Sequence, residues 1–432
     1  MSDAALTDDG LLGTDAGPAG PPPAATAEPS WPLSVKLTVV VAALTCIGLV
    51  MVASAAGSSD VAAATAKRLI LTTLAVGAFV VGANVPYSWW RRHNLAWLAL
   101  AVVGLLAVLI PHVGAQINGA RRWINPGLPV GLQPSEFAKL ALCIWVAAYC
   151  ERNATRMRSA VHGFLIPLGV VGVVCLLILA EPDFGTAALT GAVGLAVLLV
   201  FGTRMLYVGL AGMACLPALQ KLIIGVPYRL QRVLAFIHPW RDPQGTGYQL
   251  IQSKIAIGSG GALGRGLGAG VQKAGFLPGA DNDFIFSVIG EELGLLGALA
   301  IIILFVALVW MALKVVTRAR DAFGFGLALG LSWLLGMQAA AHMAVVTGSI
   351  PTKGLSLPFI SAGGSSLLAS MFAAGVLVNI ARAEESPGRV RQVPWEQDVP
   401  AYERAARWIA LNLGLAGIAL AGSLFRRKGS RK

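Results

Sequence analysis

Ten apolar runs set the limits of this fold, near 35–56, 69–86, 95–115, 136–150, 162–180, 184–202, 204–226, 284–312, 322–348 and 361–382. A helix needs about 20 residues to cross a bilayer, and most of these runs reach or approach that length. The expected fold is all-α: a polytopic membrane protein of about ten transmembrane helices, with a large extracytoplasmic loop between the seventh and eighth. Composition agrees, with 56% hydrophobic and 12% charged residues and a mean hydropathy of +0.72. Soluble domains are about a quarter charged. The formal net charge of +12 fits Lys and Arg collected in short loops against anionic lipid. A nucleic-acid partner is not expected, because no basic groove with interleaved aromatics appears. The five cysteines lie in or beside apolar runs and form no CxxC pair, which points away from a disulfide framework or a metal cluster.

Three regions follow. Residues 1–33, rich in Ala, Pro and Gly, predict a disordered cytoplasmic tail. Residues 34–385 hold the ten runs. Residues 386–432 form a second cytoplasmic tail, whose run at 408–425 predicts an interfacial or extra membrane helix. Ten crossings put both ends on one side. "WWRRHN", "ERNATRMR", "KVVTRARD" and "ARAEESPGRVRQ" then share a face, which the positive-inside rule makes cytoplasmic.

The outer segments 112–135, 227–283 and 349–360 also carry cations, against that bias. Arg229 and Arg232 stand at i and i+3 and share a face if helical. Contact with outer-leaflet lipid would explain them as well. Glu136 and Lys139 open the fourth span, where a local ion pair is the plain alternative. Asp183, in "EPDFGT", either caps the sixth span or faces a cavity. Lys353 stands on a Pro- and Gly-bracketed turn, followed by Ser361, Ser365 and Ser366 in a small-residue helix start. Asp283 is expected at the outer mouth of the eighth span. Glu291 and Glu292 are expected about two turns deeper, facing the bundle interior. Acid and base groups around a space open to lipid suit an amphiphile with a polyanionic head.

The motifs "INGARRWI", "QPSEFAKL", "EPDFGTA", "GYQLIQSKIAIGSGG", "NDFIFSVIGEELGLLGA" and "PTKGLSLPFISAGGSSLL" occur in the order seen in the SEDS family (shape, elongation, division and sporulation), which the chain resembles over about residues 35–385. It is similar to division members more than to elongation members. The resemblance implies a peptidoglycan glycosyltransferase of the bacterial inner membrane that polymerises lipid II, N-terminus cytoplasmic, at the division septum. It implies Asp283 as the catalytic residue. Substrate contacts are then expected from Lys353, Arg229, Arg232, Arg122, Glu136, Lys139, Asp183, Gln252, Ser253 and Ser361. The implied partners are a class B penicillin-binding transpeptidase of the FtsI type and other membrane proteins of the divisome. No cofactor is required, with a divalent cation (Mg or Mn) left open. Gly279, Asp281, His342 and Ala362 depart from the family's usual residues.

The implied reaction joins a sugar 4-hydroxyl to an anomeric carbon as a lipid diphosphate leaves. An α-linked donor giving a β-1,4 product reads as one displacement with inversion. That step needs a general base at the hydroxyl and cations on the diphosphate. The same spans and charges would also suit a lipid II flippase, an elongation-type polymerase or a non-catalytic scaffold. A flippase predicts internal repeats and broken helices at the midplane; no repeat is visible here, and the acidic and basic groups favour the outer face.

Overall fold

The computed structural model describes residues 31–55, 61–117, 120–124, 131–225 and 227–385. Both expected tails, and the 408–425 run, lie outside the described residues apart from the approach to the first helix. In chain order the helices begin with α1 (Leu33–Ala55), α2 (Val61–Asn84), the short α3 (Tyr87–Arg92) and α4 (Asn94–Leu109). A hairpin of β1 (Gly114–Ile117) and β2 (Ala120–Ile124) follows. Next come α5 (Pro134–Arg152), α6 (Ile166–Ala180), α7 (Phe184–Val200), α8 (Met205–Ile224), α9 (Pro227–Ile237) and α10 (Tyr248–Ser259). The last three are α11 (Ile285–Arg318), α12 (Ala322–Val346) and α13 (Gly364–Glu385).

Every apolar run of the sequence falls on a helix. Among the described residues six helical stretches are long and apolar enough to cross a membrane: α1, residues 65–84 of α2, residues 161–180 ending in α6, α11, α12 and α13. Helices suit that setting because they satisfy their own backbone groups where no water is available. α5 is the exception in composition. It carries Glu136 and Lys139, yet nearly its whole surface is buried, because α4, α7, α12 and α13 surround it. Protein rather than lipid is its solvent.

Local chemistry sets the helix starts. Pro134 opens α5, where its missing N–H costs nothing. The Asp183 carboxylate caps α7, accepting from Thr186 N at 3.1 Å and Thr186 Oγ1 at 2.9 Å. Asp321 caps α12, accepting from Gly324 N at 2.6 Å.

Two features depart from the expected fold. The first is a β-hairpin inside the 112–135 segment of a fold expected to be all-α. Its register pairs Gly114 with Ile124, Ala115 with Trp123 and Gln116 with Arg121, so Arg122 is the extra residue of a bulge. A bulge re-aims the side chain it carries.

The second concerns Glu291 and Glu292. They are fully buried, but the glycine-rich loop after α10 covers them rather than neighbouring spans. α11 breaks at Gly294, whose φ is +66°. The glycine-rich segment after α10 folds onto the piece before that break. Arg265 N and Gly266 N donate to the carbonyls of Glu291 and Glu292, both at 3.0 Å. Leu295 N donates to Gly261 O at 2.9 Å. The apolar, exposed part of α11 begins at Leu295, so the two glutamates stand at its head. They are level with Ser54 near the C-terminal end of α1, and fully buried by the loop.

Candidate functional site

Four separate pieces of chain meet around Asp283: the β2 bulge, the 181–184 turn, α9 and the 352–354 turn. Asp283 ends a tight turn in which Asn282 N and Phe284 N both donate to Gly279 O at 3.1 Å. Gly279 has φ +73°, a region glycine enters without steric cost, which accounts for a glycine at this departure from the family pattern. Asn282 Nδ2 donates to Asp283 Oδ1 at 3.0 Å. Burial pushes the Asp283 carboxyl up to about 6, with exposed Asp281 adding to the rise and Arg232 and Arg122 opposing it.

The other carboxylate oxygen lies against Gly354. A Cβ at residue 354 would stand 2.8 Å from Asp283 Oδ2. Gly354→Ala therefore displaces the carboxylate itself, the movable partner in that contact. An expected fall in turnover of about 10–10²-fold follows from a misplacement of up to about 1 Å. Turnover measured beside thermal stability checks this; unchanged turnover would mean the carboxylate has room to spare.

Cations approach from three directions. Arg122 reaches over the 181–183 turn, donating from Nε to Glu181 O at 3.0 Å and from Nη2 to Pro182 O at 2.5 Å. Its Nη1 stands 4.0 Å from Asp183 Oδ2. Arg232, on α9, donates from Nη1 to Thr352 O at 3.1 Å, tying that helix to the turn beside it. Lys353 follows directly. Its Nζ sits 4.6 Å from the centre of the Phe184 ring, within cation–π range. Burial lowers its pKa and Asp183 works against the fall. Arg229 lies one turn before Arg232 on α9, with its side chain outside the described residues.

The remaining expected contacts are placed differently. Glu136 and Lys139 form a buried ion pair at 2.9 Å. Lys139 also donates to Gln338 Oε1 at 2.9 Å, and Gln338 Nε2 donates to Ser356 O at 3.0 Å. The pair thus supports the Lys353 loop from below, through α12. Ser361 is buried and its Oγ donates to Asn282 O at 2.7 Å, so it braces the aspartate turn. Ser253 is not brought to the site. Its Oγ shares a 2.7 Å hydrogen bond with Ser287 and donates to Val346 O at 2.6 Å, deep in the seam of α10, α11 and α12. Gln252 is half-buried on α10 and stands outside this group of contacts.

Two residues stand out that were not among the expected site residues, although the sequence places Glu181 with Asp183 at the hairpin between the fifth and sixth spans. Glu181 is wholly buried, both carboxyl oxygens lack a partner, and its pKa rises to about 8 through burial and then Asp183, opposed by Arg122. Arg68 is buried at the start of the apolar part of α2. The signal for it was available, since an arginine at the end of the second span expected to face outward breaks the same charge bias as Lys353. Among the described residues no three His, Cys, Asp or Glu side chains stand together as a metal-holding group.

Comparison with known proteins agrees over most of the chain. The family model for FtsW, RodA and SpoVE, described as cell cycle protein, matches residues 35–386. A probable peptidoglycan glycosyltransferase FtsW of Trichlorobacter lovleyi is 43% identical over 351 residues, covering 80% of this chain and 92% of that protein. One from Allochromatium vinosum is 40% identical over 383 residues, covering 85% and 95%. Among solved structures, a chain of a peptidoglycan synthase complex described as coordinating polymerization and crosslinking superposes with a TM-score of 0.68 at 28% identity, covering 81% of this chain and 97% of that one. The rod shape determining protein RodA of Thermus thermophilus shares the fold, with a TM-score of 0.60 at 24% identity over 81% and 97% of the two chains. With a match that runs from the start of α1 to the end of α13, this chain belongs to the FtsW/RodA/SpoVE family of cell cycle proteins.

Proposed function

We propose that this chain is a membrane-embedded peptidoglycan glycosyltransferase that polymerises lipid II, with Asp283 as its general base. The observation that carries this reading is a carboxyl poised at about 6, half-buried among Arg122, Arg232 and Lys353. A base with a pKa near the working pH combines availability with proton affinity. In the reaction, the Asp283 carboxylate takes the proton of the acceptor 4-hydroxyl as the oxygen attacks the anomeric carbon. The bond to the lipid diphosphate breaks on the opposite face, so the configuration inverts. Arg232 and Lys353, with Arg229, supply positive charge to the leaving diphosphate. Arg suits this through its planar fork, Lys as a point charge. Arg122 is committed to the 181–183 turn and shapes the wall.

Acid should switch the reaction off. The base must be ionised, so kcat/KM for lipid II should fall as pH drops through about 6. Arg232→Gln removes a cation that favours the ionised form and should move that limb upward. A rate independent of pH across this range would leave Asp283 without the assigned role.

The proposed setting is division in the inner membrane beside a transpeptidase partner of the FtsI type; the FtsW name of relatives and a neighbour from a peptidoglycan synthase complex support the coarser reading of a membrane-embedded synthase with a crosslinking partner. The ten apolar runs, each on a helix, are read as ten crossings with the N-terminus cytoplasmic. In a cysteine-free background, Leu263→Cys should then react with an impermeant thiol reagent added outside the cell, and Arg156→Cys should not. The reverse labelling would invert the arrangement. The direct test of function is polymer formation from purified lipid II by the reconstituted chain, with and without a transpeptidase partner.

A further inference from the structure

The loop bearing Lys353 and Gly354 runs on to residues 359–362, and that second half is gripped from behind. Arg68 of α2 is 2% exposed. Its Nη1 donates to Ser361 O at 2.6 Å, and its Nη2 donates to Phe359 O at 2.9 Å and Ile360 O at 3.1 Å. It forms no ion pair among the described residues. A guanidinium is costly to bury, so one that spends both terminal nitrogens on three successive carbonyls is fixing backbone rather than balancing charge. Gly48 of α1 closes the other side. A Cβ there would meet Phe359 O at 2.5 Å and Arg68 Nη2 at 3.0 Å. Phe359 itself holds φ at +67°, a region bulky residues seldom occupy unless held there.

Two bonds lead from the gripped segment to the turn of Asp283. Ser361 Oγ donates to Asn282 O at 2.7 Å, and Ala362 N donates to Asp281 O at 3.0 Å. Leu357 N donates to Ser361 Oγ at 2.8 Å, which sets the direction of that hydroxyl. We propose that Arg68 is a positioning residue for glycosyl transfer: by fixing the 359–361 carbonyls it fixes the Asp281–Asn282 backbone, and through it the carboxylate of Asp283. This inference rests on the reading of Asp283 as the base. Arg68 touches neither substrate nor the reacting atoms.

The test uses the full chain in liposomes with lipid II, comparing Arg68→Met, Arg68→Lys and Ser361→Ala with wild type. Arg68→Met should lower kcat by about 10²-fold, the scale of a small displacement of a catalytic group, with KM nearly unchanged. Arg68→Lys, able to hold part of the carbonyl set, should recover some of that loss. Ser361→Ala should lower kcat in the same way. Amide exchange should rise at Ala362 and across 281–284 in Arg68→Met, and stay as in wild type at 268–272, which Glu291 and Glu292 hold independently. Wild-type kcat in Arg68→Met overturns the proposal. So does a uniform rise in exchange with activity lost only in proportion to folded protein. Should Arg68→Met fail to fold, wild-type kcat in both Arg68→Lys and Ser361→Ala overturns it equally. An active Asp283→Asn brings down the base reading on its own evidence, whereas an inactive Asp283→Asn beside a fully active Arg68→Met removes only the role of Arg68.

Discussion

Asp283→Asn should abolish useful polymerisation, lowering the rate by about 10²–10⁴-fold, the usual contribution of a general base. The substitution keeps shape. Asn can still accept from Asn282 Nδ2 and still fits against Gly354. It also removes a charge that burial and Asp281 already disfavour. Folding should therefore survive, and any loss is a loss of chemistry. Neutralising Lys353 or Arg232 should cost less, about 10–10²-fold, since each supplies one charge-assisted contact. The measurement is lipid II polymer formed per folded molecule, beside lipid II translocation in the same liposomes. An Asn variant that polymerises at near wild-type rate sinks the assignment. Translocation by a wild type that forms no polymer, even with a transpeptidase present, would favour the flippase.

How far could the site be read from the sequence? The helices were legible because a bilayer admits few alternatives, and each apolar run became one. α5 was legible despite Glu136 and Lys139, because Pro134 and the acid suit a helix start. The meeting of Asp283, Lys353, Asp183 and Arg232 followed from placing their segments on one face. What stayed hidden depends on local backbone. Nothing in "INGARRWI" announces that Arg122 is a bulge residue, yet the bulge decides what Arg122 can reach. "EELGLLGA" reads as continuous helix, since single glycines occur inside helices, and only the left-handed Gly294 shows where the exposed span begins. Ser253 looked available because its segment is polar and lies outside the spans. It is buried because α10 packs into the seam with α11 and α12. Arg68 was passed over as the edge of an apolar run, although its charge was on the wrong side.

The glutamates displaced by that break yield the second large expectation, one of stability rather than rate. Glu292 is fully buried, with Lys273 Nζ at 2.6 Å from Oε1, Ser54 Oγ donating to Oε2 at 2.5 Å and Gly268 N donating to Oε2 at 3.2 Å. Lys273 Nζ also donates to Ser54 O at 2.7 Å. Glu291 beside it accepts from Val271 N at 2.8 Å and Gln272 N at 3.2 Å. The pair pins the glycine-rich loop to the end of α1 and the head of α11. Removing one partner of a buried pair strands the other charge, at about 3–5 kcal/mol. Glu292→Ala should therefore lower thermal stability severely and free the 260–273 loop to amide exchange. Molecules that remain folded should lose far less turnover than Asp283→Asn, because the bonds that Glu292 makes go to Ser54, Gly268 and Lys273, away from the Asp283 turn. Replacing both charges, as in Glu292→Met with Lys273→Met, should recover much of the stability, since an apolar pair carries no stranded charge. The double-mutant cycle separates the two roles. Glu292→Ala with wild-type stability and a hundredfold loss of turnover, a cost of about 2.7 kcal/mol in the barrier, would move Glu292 from the scaffold into the chemistry.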